Sequence, residues 1–365
     1  MRGIRRSIFI ITLVLLATGV VMVYSSSALY GYERLSDSMH FIKRHLMYLC
    51  IGFVMMFASM TVKLDVMKKM SKPVMFVSLM MLSVVLIPGI GREFGGAKRW
   101  IHFGMINFQP SEFAKVAVII YLAGFLSRKG KDIRDLVYGY APGAIVIGIT
   151  VGLICVEPDL GTAIVVAAIG LTMMFVAGAN IRHLAVTTLA AAPVLLIQLI
   201  GVPYRRRRLA IFLNPWSDSR GSGFQIIQSL LALSSGGLFG LGLGHSRQKL
   251  FYLPEPYSDF IFSIIGEELG FIGAGSIVML FALFCWQGMR IVLKTDDPFG
   301  RFVSLGIIAM ISFEVIINIG VVSGIFPTKG LPLPFISYGG TSLIFHMTAV
   351  GILLNVAAAN DEGRS

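Results

Sequence analysis

Ile8-Phe-Ile-Ile-Thr-Leu-Val-Leu-Leu-Ala-Thr-Gly-Val-Val-Met-Val-Tyr24 contains no charged side chain. A helix needs about 20 mostly apolar residues to cross the roughly 30 Å hydrocarbon core of a bilayer. The stretch follows Met1-Arg-Gly-Ile-Arg-Arg6, so it also resembles a signal peptide, with Tyr24-Ser-Ser-Ser-Ala28 readable as a cleavage site or as a plain helix end. Further apolar stretches along the chain favour a retained first helix. Apolar residues make up 56% of the 365 positions and the mean hydropathy is +0.80, well above the roughly 45–50% apolar content of a soluble domain. A water-soluble protein is excluded.

The pattern predicts an all-α integral membrane protein with ten transmembrane helices, at 8–26, 45–62, 73–90, 111–127, 139–156, 160–178, 184–201, 259–288, 302–323 and 341–359. Helices are required because each span in lipid must satisfy its own backbone hydrogen bonds. Neither a fixed-period repeat nor a polar linker divides the chain, so residues 1–365 read as a single membrane domain. If the N-terminus is cytoplasmic, sixteen Lys and Arg fall in cytoplasmic segments, from Arg2 to Arg364, and seven in the short outer loops. That asymmetry predicts both termini inside the cell.

One segment breaks the pattern. The long extracytoplasmic loop 203–258, between spans seven and eight, carries Arg205, Arg206, Arg207, Arg208, Arg220, Arg247 and Lys249 against only Asp218 and Glu255. Long loops translocate with little regard to charge. The loop is either a solvated or headgroup-facing surface, or a site that draws in an anionic substrate such as a lipid diphosphate, since clustered guanidinium groups grip phosphate oxygens in pairs. The net charge of +12 belongs to this membrane context, and no nucleic-acid partner is predicted. Cys50, Cys155 and Cys285 lie in apolar spans without metal-ligand spacing, and the six histidines are scattered. The glycines of Ser235-Gly-Gly-Leu-Phe-Gly-Leu-Gly-Leu-Gly244 lack the strand and helix of a nucleotide site. They suit a re-entrant loop packed closely against other backbone.

Ionisable groups within or bordering spans are expensive and are functional candidates by default. Glu112 and Lys115 open the fourth span three residues apart, on one helix face, as a structural ion pair or the lining of a polar cavity. Asp159, in Glu157-Pro-Asp-Leu-Gly-Thr162, is a helix cap or a binding group. Asp259 stands where the basic loop becomes the eighth span, flanked by Phe260 and Phe262. A partly desolvated carboxylate facing a polar substrate suits a general base, with a helix cap as the alternative. Glu267, Glu268 and Glu314 lie deeper in spans, where a protein interior or a cavity must receive them.

Taken together, Met22-Val-Tyr-Ser-Ser-Ser-Ala28, Gly96-Ala-Lys-Arg-Trp-Ile101, Gln109-Pro-Ser-Glu-Phe-Ala-Lys115, Pro158-Asp-Leu-Gly161, Asn214-Pro-Trp216, Gly221-Ser-Gly-Phe-Gln-Ile-Ile-Gln-Ser229, Gln248-Lys249, Leu253 to Gly270 and Lys329-Gly-Leu-Pro-Leu-Pro-Phe-Ile-Ser-Tyr-Gly-Gly340 resemble the SEDS family of FtsW, RodA and SpoVE. The resemblance is collinear over nearly the whole chain and closer to the FtsW and SpoVE branches. It implies a ten-helix peptidoglycan glycosyltransferase of the bacterial cytoplasmic membrane, active in division or sporulation. An enzyme of that family polymerises lipid II, releases undecaprenyl diphosphate and works with a class B penicillin-binding protein, and the resemblance implies the same here. The family's essential aspartate falls on Asp259, its cavity-lining pair on Glu112 and Lys115, and Asp159, Lys329 and Ser337 lie in its matched segments. Glu157 stands where the family often has glutamine, adding a negative charge beside Asp159, and Ser219 replaces a usual proline.

The mechanism so implied is an inverting transfer with Asp259 as base, and with Arg205 to Arg208, Lys249 and Lys329 as candidate cations for the diphosphate. A divalent cation, Mg or Mn, would share that role; no nucleotide cofactor is expected. The rival readings are a lipid II flippase, which needs a polar path through both leaflets, and a non-catalytic scaffold for a transpeptidase.

Overall fold

The structure is a computed structural model, describing residues 1–89, 91–94, 97–104, 106–201, 203–219, 221, 223–250, 253–328 and 330–362. Among them the chain forms twelve α-helices and a small three-stranded sheet. Seven helical stretches are long and apolar enough to cross a membrane: Arg2–Leu35, His40–Thr61, Pro110–Arg134, Leu136–Val156, Ile261–Lys294, Pro298–Val322 and Thr341–Asp361. Their helices are α1 (Arg2–Leu35), α2 (His40–Thr61), α4 (Pro110–Lys129), α5 (Ala141–Val156), α10 (Ile261–Lys294), α11 (Pro298–Val322) and α12 (Thr341–Glu362). The other helices over expected spans are α3 (Leu64–Val85), α6 (Leu160–Val176) and α7 (Ile181–Ile200). At 1.5 Å per residue the 17 residues of α6 reach only about 26 Å.

Burial divides the bundle into centre and rim. The most apolar windows of α4, α11 and α12 are 78%, 72% and 78% buried, whereas those of α1, α2, α5 and α10 are 28–39% buried and turn most of their surface outward. One hydrophobic cluster runs from Ile4 on α1 to Ala357 on α12. In lipid no water drives helices together, so tight packing and interhelical hydrogen bonds must do so. Asn355 Nδ2 donates to the carbonyls of Ser59 and Val62, tying α12 to the α2–α3 junction.

These contacts define two ends. At one, the Met1 ammonium pairs with Asp361 at 2.9 Å and Asn360 reaches the carbonyl of Lys294. At the other, Gln109 before α4 reaches Thr341 at the start of α12, and Asn318 near the end of α11 reaches the Asp259 carbonyl before α10.

Two features depart from the sequence reading. Between α3 and α4 lies an antiparallel sheet, β1 (Arg92–Phe94), β2 (Ala97–Phe103) and β3 (Ile106–Phe108), in the order β1-β2-β3. A segment outside the helical spans is free to pair as a hairpin, because water can satisfy its edges. The segment expected as the loop 203–258 contains two helices, α8 (Pro203–Leu213) and α9 (Phe224–Ser235). Ile226, Ile227, Ser229 and Ala232 form the buried face of α9. That face is fastened by Ser229, whose hydroxyl donates to the Val322 carbonyl at 2.7 Å.

Helix α10 breaks at Gly270, at φ 67 and ψ −169. A break leaves orphan carbonyls on one side and orphan amides on the other, and leaving them unpaired in an apolar environment is costly. The glycine run supplies the partners. Leu241 and Gly242 donate to the carbonyls of Glu267 and Glu268, while Phe271 and Ile272 donate to those of Gly237 and Leu238. This pairing needs backbone contact without side chains: a Cβ on Gly240, at φ +81, would sit 2.2 Å from the Glu268 carbonyl oxygen. The expected close-packed loop is therefore present, and its pairing partner is a broken helix.

Candidate functional site

Asp259 does not cap α10. The cap position is Phe260, and no side chain caps that end. Instead, three successive backbone carbonyls are held from neighbouring segments. Tyr257 accepts the Tyr338 amide at 2.9 Å. Ser258 accepts the Ser337 hydroxyl at 2.7 Å, and Asp259 accepts Asn318 Nδ2 at 3.0 Å. Ser337 is itself oriented by the Leu333 amide, and Asn318 also donates to the Leu331 carbonyl. With its backbone fixed, the half-buried Asp259 carboxylate accepts the Ser258 hydroxyl at 3.1 Å. A Cβ at Gly330 would stand 2.8 Å from its Oδ2, so the glycine leaves room for the carboxylate. Burial pushes this carboxyl up to about 6; the Ser258 hydroxyl opposes, Glu255 adds to the rise, and Arg99 and Arg208 oppose it.

Asp159 caps α6 through the Thr162 amide at 3.2 Å. Its Oδ2 also accepts the Thr162 hydroxyl at 2.9 Å and Gln109 Nε2 at 3.1 Å, with Arg99 Nη1 at 3.7 Å. Gln109 precedes α4 and its amide donates to Thr341, so the starts of α4, α6 and α12 meet at this aspartate. Beside it Glu157 is fully buried with both carboxylate oxygens unpartnered. Burial, reinforced by Asp159 and opposed by Arg99, pushes it up to about 9. The negative charge expected of Glu157 is thus suppressed, because a neutral carboxylic acid is the cheaper species in that setting.

Deeper in the bundle, Glu112 and Lys115 form the expected pair at 2.8 Å. The sequence did not reveal its extension: the Lys115 ammonium also contacts Glu314 of α11, whose other oxygen meets His346 of α12. His346 then meets Ser342 at 3.2 Å. Glu314 was visible as a charge within a span, but nothing local marked His346. In this structure Glu112 and Lys115 are 2% exposed and line an ion cluster more than an open cavity. Two cavities of about 260 and 200 Å³ lie at the opposite end, beside Gly130 and Pro298 and beside Thr295 and Asn360.

The candidate diphosphate cations separate. Lys249 is bound to Glu268 at 2.8 Å and to the Ser25 hydroxyl at 3.2 Å. Glu268 lies nine residues beyond Asp259, about 13 Å along a helix. The ammonium compensates a fully buried carboxylate, which is why the structure does not bring it to Asp259. Arg206 is exposed, and Arg207 pairs with Asp218 at 2.7 Å on the surface. Arg208 lies nearer, donating to the Thr328 carbonyl at 3.1 Å, and its charge acts on Asp259. Lys329 and the side chain of Arg205 lie outside the described residues. Among the described residues no three His, Cys, Asp or Glu side chains converge to hold a metal.

Comparison with known proteins gives the family of the chain. A family model described as cell cycle protein, for FtsW, RodA and SpoVE, matches residues 5–362. Stage V sporulation protein E of Bacillus subtilis is 48% identical over 95% of this chain and 95% of its own. A probable peptidoglycan glycosyltransferase FtsW of Trichlorobacter lovleyi is 43% identical over 96% and 92%. Among solved structures, a chain from a study of a peptidoglycan synthase complex that coordinates polymerization and crosslinking superposes with a TM-score of 0.79, at 30% identity and 97% coverage of both chains. The rod shape determining protein RodA of Thermus thermophilus superposes at 0.72, with 27% identity over 97% of this chain and 96% of that one. The chain belongs to the FtsW, RodA and SpoVE family of cell cycle proteins.

Proposed function

We propose that this protein is a peptidoglycan glycosyltransferase that polymerises lipid II by inverting transfer, with Asp259 as the general base. The observation that carries the assignment is the Asp259 carboxylate itself. Its backbone is clamped by Ser337 and Asn318 while its side chain stays lightly bonded, and its proton affinity is raised toward neutrality. A base works best when its pKa lies near the working pH. The C4 hydroxyl of the acceptor sugar attacks the anomeric carbon of the lipid-linked donor and gives its proton to Asp259. The bond to the diphosphate breaks, and undecaprenyl diphosphate leaves with the electron pair. Asp159 and Ser337 shape the site, and Glu112 and Lys115 brace the helices beneath it.

The full chain is read as one membrane unit of ten spans, with α3, α6 and α7 added to the seven long apolar stretches, and the continuous core supports that reading. Both termini are cytoplasmic and Asp259 faces the outer side of the bacterial inner membrane. Supporting this, Lys68, Lys69, Arg128, Lys131, Arg182 and Arg301 all lie toward the end opposite Asp259. The partner is a class B penicillin-binding protein, in keeping with the synthase complex from which one structural neighbour comes.

The test is polymerisation of lipid II by the purified full chain with its cognate transpeptidase. Wild type should make glycan strands and Asp259→Ala should not. Strand synthesis by Asp259→Ala at the wild-type rate would refute the base assignment.

A further inference from the structure

Among the cations near Asp259, Arg99 is the one that the loop-centred sequence reading passed over. It comes from β2, in the segment between α3 and α4. The pairing of β1 with β2 matches Arg92 to Trp100 and Glu93 to Lys98, which leaves Arg99 as the extra residue of a β-bulge. A bulge rotates one side chain out of the alternation of its strand, and bulges are over-represented next to active sites. Here it turns the guanidinium toward the acids: Nη1 stands 3.7 Å from Asp159 Oδ2, and the Arg99 charge acts on Asp259, Glu255 and Glu157.

Its donors are underused. A separation of 3.7 Å is beyond hydrogen-bond reach, and Arg99 Nε is buried without a partner. A guanidinium carries five N–H donors in a fixed fork that matches phosphate oxygens. Other cations are more committed: Lys249 to Glu268, Arg207 to Asp218, and one N–H of Arg208 to the Thr328 carbonyl. The Asp159 oxygen facing Arg99 is already bonded to Thr162 and Gln109, so it holds its position without the arginine.

We propose that Arg99, turned toward Asp159 by its β-bulge, binds the departing diphosphate of the lipid donor. This assignment rests on the glycosyltransferase reading above. As the bond between the anomeric carbon and the diphosphate oxygen breaks, the electron pair stays on that oxygen. The Arg99 fork donates hydrogen bonds to the oxygens on which the charge collects, while the acceptor proton passes to Asp259.

The experiment uses the full chain with its transpeptidase and compares wild type, Arg99→Gln and Arg99→Lys in lipid II polymerisation. Undecaprenyl diphosphate serves as inhibitor, with undecaprenyl monophosphate as the control. Loss of a charge-assisted pair of hydrogen bonds should raise the diphosphate inhibition constant of Arg99→Gln by roughly tenfold or more, the monophosphate constant by less, at an unchanged melting temperature. An Arg99→Gln protein that folds and keeps the wild-type constant overturns the proposal. Should that variant not fold, Arg99→Lys decides. Its point charge cannot reproduce the fork, so a constant raised severalfold supports the assignment and an unchanged one overturns it. Failure of the underlying reading is separately visible, as a wild-type protein that makes no polymer.

Discussion

The Lys249 ammonium lies 2.8 Å from Glu268 Oε1 inside the bundle, and the Ser25 hydroxyl of α1 donates to both oxygens of the same carboxylate, at 2.8 and 2.7 Å. Next to it, Glu267 accepts the amides of Arg247 and Gln248 and the hydroxyl of Ser246. Two adjacent buried carboxylates thus anchor the turn at 245–249 against α1 and α10.

Removing one member of a buried pair strands the other charge, at a cost of about 3–5 kcal/mol. Lys249→Met is therefore expected to lower the melting temperature of the detergent-solubilised protein sharply. Lys249→Met combined with Glu268→Leu should recover much of the loss. A double variant no more stable than the single one would count against the pair as the cause.

The break in α10 is sensitive to a single methyl. Gly270→Ala would carry a left-handed φ of 67° and place its Cβ 2.3 Å from the Gly240 amide nitrogen. A non-glycine residue at that φ and ψ costs roughly 1–3 kcal/mol and forced overpacking about 1–3 more. Thermal unfolding of Gly270→Ala should show a lower midpoint, whereas Gly275→Ala, which meets open space in the same helix, should stay near wild type.

The activity should have an acid limb set by Asp259. Its carboxyl is raised to about 6, so it is ionised above that pH and protonated below it; with Asp259 as the proposed base, polymerisation should fall as pH drops through about 6. Of the groups acting on it, Glu255 holds the limb up, while Ser258, Arg99 and Arg208 hold it down. Glu255→Gln should therefore move the limb to lower pH. Initial rates between pH 5 and 8 test the sign, and an unmoved or upward limb would contradict it.

Glu157 gives a stability prediction with the opposite pH trend from an ion-paired acid. Its folded value of about 9 exceeds the ordinary 4.5, so folding takes up a proton between those values. Stability should then fall as pH rises across that window, by as much as about 3 kcal/mol at pH 7. Glu157→Gln needs no proton and should flatten the dependence. Melting temperatures of both proteins at pH 5 and pH 8 would show it.

The membrane character, the helical class and the position of Asp259 at the entrance to a span were legible in the sequence because composition and charge placement are local properties. So were the Glu112–Lys115 pair, three residues apart on one helix, and the close packing of the glycine run. The three-stranded sheet was missed because short pairings outside lipid leave little periodic trace. The two helices within 203–258 were hidden by the polar residues between them.

Partner choice was decided elsewhere. Whether Lys249 would face a diphosphate or neutralise Glu268, whether His346 would join Lys115 through Glu314, and whether Arg99 would turn toward Asp159 depended on residues tens to hundreds of positions apart. The sequence by itself determined which charges the chain carries into or beside the membrane. Only the tertiary structure decided how they pair, because a buried charge is stabilised by whichever opposite charge and donors the packed helices bring within about 3 Å.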